Sequence, residues 1–183
     1  KAISSYQAPL EKAETFEVYP NRDSLPFIED YKFDPTWQVK NFVRGTLRLN
    51  GWSSAWQDIF NEIEGLSGKT GDDRLKEISD QLWNDNAYEK NEPDRVVLCV
   101  SLKAEIEISV KWHKTFVMDA WGDGGESAMS RLVSQPVSLA VEAVIQKKLE
   151  AGVQAAPSNI DIVDNWLSII DELAQYLNII RHN

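Results

Sequence analysis

The chain has 183 residues, 43% of them hydrophobic and 26% charged, which suits one globular domain long enough to bury a core. Its 29 acidic residues outnumber 19 basic ones for a net charge of -10, which argues against nucleic acid or an anionic membrane as the main partner. A single cysteine, Cys99, excludes an internal disulfide and a cysteine-built zinc site and fits a reducing compartment.

Taken in chain order, residues 1–14 read as a linker-like segment, with Pro9 and few apolar side chains, and 15–183 as the domain proper. Thr15 to Pro20 alternates like a strand that the proline stops. Asn21-Arg22-Asp23-Ser24 is turn chemistry, and Ser24 or Asp23 can cap a short helix through Leu25 to Tyr31. Residues 38–49 are β-rich and end at Gly51. Ser53 or Ser54 then opens an amphipathic helix carrying Trp56, Ile59, Phe60 and Ile63 on one stripe, with Gly65 at its end. The polar stretch 67–92 holds one helix, capped by Asp72. Residues 95–106 and 109–121 form two long strands suited to an antiparallel hairpin. A short helix is expected over 127–133, and a second from Pro136 to about Leu149. A short strand over 153–157 and a last helix over 160–177, capped by Ser158 or Asn159, complete the chain. Strands and helices without a βαβα rhythm predict an α+β fold on a mixed, largely antiparallel sheet.

Few motifs carry chemistry. Trp121-Gly122-Asp123-Gly124-Gly125-Glu126-Ser127 hints at a dinucleotide loop, but Ser127 stands where the fingerprint needs its third glycine, and Asp123 and Glu126 would repel a pyrophosphate. His113 and His182 are far apart in sequence and make no metal pattern. Cys99, mid-strand, reads as an inert buried thiol. The arginines stand out. Arg22 sits in a turn, and alternation through Arg44-Gly45-Thr46-Leu47-Arg48 places Arg44, Thr46 and Arg48 on one strand face. Forked guanidinium groups beside a hydroxyl and a glycine suit a carboxylate ligand, whereas pairing with Asp23 or Glu17 would make them structural. The residues alone leave both open.

Several runs together resemble a known family: Phe16 to Tyr31, Val39 to Trp52, Asp94 to Glu105, Gly122 to Ile145 and Gly152 to Leu173. In order and spacing they are similar to the saccharopine dehydrogenases, closest to the NADP-dependent, L-glutamate-forming branch. The resemblance implies the substrate-binding and dimerisation part of an enzyme that interconverts saccharopine with 2-aminoadipate 6-semialdehyde and glutamate in lysine metabolism. It implies Arg22, Thr46, Leu47 and Arg48 as substrate contacts, with Leu47 acting through its backbone and the catalytic groups unknown. NADP would be bound by an N-terminal Rossmann domain outside this chain, and a homodimer would form through the sheet. The start at Lys1 suggests a piece of a longer polypeptide, inactive by itself. No signal peptide or membrane span is visible, so a cytoplasmic location is expected. Two alternatives accompany this reading: a related dehydrogenase acting on another amino-acid or polyamine imine, and a non-catalytic oligomerisation or regulatory module of the same fold.

Overall fold

The structure is a computed structural model that describes residues 3–21, 23–107, 109–153 and 155–182. It is α+β, built on two three-stranded sheets. The first, in order β1-β2-β3, joins β1 (Ser4–Ala8), β2 (Glu14–Pro20) and β3 (Gly45–Leu49). The second, in order β4-β5-β6, joins β4 (Arg95–Ile106), β5 (Ser109–Trp121) and β6 (Tyr176–Arg181). Every pairing among the described residues is antiparallel, so the mixed sheet expected from the sequence resolves into two antiparallel ones.

The segment read as a linker is structural. Tyr6 pairs with Phe16 and Ala8 with Glu14 in the β1–β2 ladder, and Ala8 and Leu10 are buried. Ala8, Leu10 and Phe16 pack with Val117 of β5, flanked by Tyr6, Leu47, Val97, Cys99, Tyr176 and Ile180. This cluster fastens one face of the first sheet to one face of the second. Burial pushes the Cys99 thiol up, against a hydrogen bond from Tyr6 that lowers it, so the thiol stays protonated.

The described residues form six helices, of which α5 and α6 pack on the second sheet. The short α1 (Pro26–Asp30) has proline in its first turn. The expected helix from Ser53 divides at Trp56 into α2 (Trp52–Ala55) and α3 (Gln57–Glu64), with Gly65 as C-cap. Next, α4 (Gly68–Asp85) starts after Ser67, one turn earlier than the Asp72 cap predicted. Residues 127–149, expected as two helices, form one, α5 (Ala128–Ile145), with Pro136 inside it. The last helix, α6 (Ile160–Leu173), is capped by Asn159, whose side chain accepts from the N–H groups of Asp161 and Ile162. It stops earlier than expected, at extended Ala174, and the chain then adds β6 to β5. The strand expected over 153–157 includes Gln154, which lies outside the described residues, and its described neighbours form none.

His182 is tied down rather than frayed. Its N–H donates to the His113 carbonyl at 3.1 Å, and the two imidazoles stack with centroids 3.9 Å apart. Burial first, then the His182 and Lys103 charges, hold His113 below the usual histidine range. Among the described residues no helix is long and apolar enough to cross a membrane.

Candidate functional site

The arginine strand lies at a sheet edge. Among the described residues β3 pairs only with β2, with Pro20 opposite Gly45, Tyr19 opposite Thr46, Val18 opposite Leu47 and Glu17 opposite Arg48. One step beyond the ladder, Asn21 N–H donates to the Arg44 carbonyl at 2.7 Å. The Asn-Arg-Asp-Ser turn thus leaves β2 beside the residue that enters β3. Antiparallel alternation from that bond puts Thr46 and Arg48 in hydrogen-bonded pairs and turns the N–H and C=O of Gly45 and Leu47 toward the open edge.

The two faces of β3 differ sharply. Leu47 packs beside the core with Phe16, while Thr46 and Arg48 share the opposite face with Tyr19 and Glu17. This is the face alternation predicted for Thr46 and Arg48. The Leu47 side chain is committed to packing, so only its main chain is offered at the edge. Arg22 lies outside the described residues.

Which groups already hold the arginines? Among the described residues neither Arg44 nor Arg48 is in ion-pair contact with a carboxylate. The two acids that could have claimed them are engaged elsewhere. The Asp23 carboxylate accepts from Leu25 N–H at 3.0 Å. The Glu17 carboxylate, directly across the ladder from Arg48, accepts from Gly51 N–H at 2.9 Å and Ser53 N–H at 2.7 Å. Those bonds, from Ser53 first and Gly51 after, hold Glu17 below the usual carboxylate range, so it is ionised at neutral pH.

The arginines rest on aromatic rings. The Arg44 guanidinium carbon lies 3.8 Å from the Phe27 ring centroid, and its backbone N–H donates to the buried Ser24 hydroxyl at 3.0 Å. The Ser24 side chain therefore braces Arg44 and does not cap α1 as expected. Arg48 lies 5.3 Å from the Trp52 centroid and donates a long bond, 3.4 Å, to the Tyr19 hydroxyl. Tyr19 and Trp52 stack at 5.5 Å, and Trp52 is backed by Trp56 and Phe60. A guanidinium held over a ring contacts it through its face, which leaves the in-plane N–H fork available to an acceptor. Among the described residues neither guanidinium is ion-paired, and Arg48, beside the strand edge, is the one suited to a carboxylate.

Tyr19, Trp52 and Glu17 were not legible as parts of this site. Trp52 carries no motif of its own, and its placement depends on Gly51 adopting a left-handed φ of 89° that turns the chain into α2.

The glycine turn before α5 is a structural device. The Asp94 carboxylate accepts from Ala128 N–H at 2.6 Å and Met129 N–H at 2.9 Å, filling the first turn of α5. A Cβ on Gly122 would stand 2.5 Å from that carboxylate, and one on Gly124 would stand 2.9 Å from the Asn91 carbonyl. With Asp94 seated there and Asp123 and Glu126 adjacent, the turn does not fit a dinucleotide pyrophosphate.

A family model for the saccharopine dehydrogenase C-terminal domain matches residues 1–179. The chain belongs to that family. Its members are parts of oxidoreductases, and the family generally acts with a nicotinamide dinucleotide. No curated protein and no solved structure matches the chain.

Proposed function

We propose that this saccharopine dehydrogenase C-terminal domain binds the amino-acid adduct in an NADP-dependent, L-glutamate-forming saccharopine dehydrogenase. The supporting observation is Arg48, lying free of any described acid although Glu17 faces it across the ladder. In a chain of net charge -10, an arginine without a carboxylate partner at a strand edge is a vacancy that an acidic ligand can fill. Saccharopine carries three carboxylates. Arg22 and Arg48 would take two of them, with the Thr46 hydroxyl and Leu47 backbone at the β3 edge completing the contact. The Arg44 guanidinium, held over the Phe27 ring, is assigned to bracing the turn.

Because the α5 turn does not fit a pyrophosphate, NADP is assigned to a dinucleotide-binding domain elsewhere in the native polypeptide, and this chain alone should turn nothing over. The reading places the whole protein in lysine metabolism in the cytoplasm. A thermal-shift titration tests the binding role directly: millimolar saccharopine should raise the Tm of the chain, and Arg48→Ala should abolish the rise. A rise of the same size in the Arg48→Ala chain would take Arg48 out of the site.

The same proposal includes a homodimer formed through the second sheet. The accessible area is 14020 Å², against roughly 9,000 Å² for a compact monomer of this mass. Leu98, Val100 and Leu102 of β4 and Ile179 of β6 share the face opposite the core and are 37–51% exposed. An apolar surface of that kind suits a partner. Val100→Asp should shift the chain toward monomer in light scattering while its circular dichroism stays native. A dimer unaffected by Val100→Asp would place the interface elsewhere.

A further inference from the structure

Resting on the assignment of Arg48 to the substrate site, we propose that Glu17 is a positioning residue that keeps Arg48 open for the ligand and acts through the Gly51–Ser53 turn. Three observations meet here. Glu17 and Arg48 are register partners on neighbouring strands, a placement in which opposite charges ordinarily pair. The Glu17 carboxylate is instead shared between two backbone N–H groups, at 2.9 Å from Gly51 and 2.7 Å from Ser53. The residue between those donors is Trp52, whose ring carries the Arg48 guanidinium and stacks on Tyr19.

The device has two effects. Two charge-assisted bonds to fixed main-chain donors outcompete a single exposed ion pair, so the acid nearest the arginine is held off it. The same two bonds fix the turn at Gly51, which orients the Trp52 ring and, with Tyr19, holds the guanidinium at the strand edge. Glu17 need touch no ligand. It sets the direction of the group that does.

The test uses the native polypeptide that carries this chain, with saccharopine and NADP as probes. Glu17→Ala should raise the saccharopine KM about five- to tenfold with kcat and the NADP KM unchanged, because Trp52 and Arg48 lose their alignment. Glu17→Gln keeps one acceptor for the turn and should fall between wild type and Glu17→Ala, which guards against a variant that merely unfolds. The deciding measurement is the pair of changes together. In an Arg48→Ala background, Glu17→Ala should move the saccharopine KM less than twofold, since a residue acting through Arg48 has nothing left to act on. An unchanged KM in Glu17→Ala, or a full additional rise in the Arg48→Ala background, overturns the inference while the substrate site stands. An unchanged KM in Arg48→Ala alone overturns the site and the inference together.

Discussion

Arg48→Ala in the native polypeptide is expected to raise the saccharopine KM about ten- to a hundredfold and leave the NADP KM unchanged. The size follows from the bond that is lost. A charge-assisted hydrogen bond to a carboxylate is worth about 1.5–3 kcal/mol, which spans that range of affinity. The selectivity follows from position: Arg48 sits on the open-edge strand β3, whereas the glycine turn leading into α5 lies beyond β5 and is filled by Asp94. Arg48→Lys should recover little. A lysine keeps the charge but cannot present the planar fork, and its compact ammonium loses the contact of a guanidinium over the Trp52 ring. Steady-state kinetics with each substrate varied in turn settles it. A saccharopine KM within twofold of wild type in Arg48→Ala would leave the β3 edge without a ligand role.

Two of the predicted strands came out at their expected bounds, whereas the β-rich run 38–49 becomes a strand only from Gly45, where β2 offers it a ladder. β4 and β5 are long β-branched runs, and both span the residues expected of them. Alternation also sorted Leu47 from Thr46 and Arg48, because a strand with one buried face has only one workable register. What failed depended on distant chain. Residues 176–181 continue the apolar rhythm of α6, and only the free edge of β5 draws them into β6. Residues 4–8 look unremarkable until β2 offers them a ladder. Pro136 reads as a helix start, yet α5 runs through it, with the Ser138 hydroxyl bonding back to the Ser134 carbonyl near the interruption. The site divides the same way. Its cations were visible in the sequence; the diversion of Glu17 to a turn 34 residues away was not.

Another long-range arrangement carries the largest expected effect on stability. Arg95 lies on β4, and its guanidinium grips Asp119 of β5 with two bonds, at 2.8 and 2.7 Å. It grips Glu14 of β2 with two more, at 3.1 and 2.7 Å, while its carbon rests 4.8 Å from the Trp121 ring centroid. One side chain thus bridges the two sheets. The side chains of Arg95 and Asp119 are 21% and 16% exposed, and that of Glu14 is 35% exposed, so the Asp119 arm is the better shielded. Hydrogen bonds donated to Asp119 first and Glu14 next push the Arg95 guanidinium far above its already high range, so it stays charged at any accessible pH. Arg95→Met removes the cation and strands two carboxylates at the sheet junction. The expected loss is about 2–4 kcal/mol, below the full penalty for a buried pair because Glu14 can still reach water. For a chain of this size that lowers Tm by roughly 5–15 °C. The mechanism makes a second demand. Removing the stranded acids as well, in Arg95→Met with Asp119→Leu and Glu14→Leu, should restore part of the loss, because the cost lies in uncompensated charge. A triple variant less stable than Arg95→Met alone would show that the four hydrogen bonds, not the balance of charge, hold the sheets together.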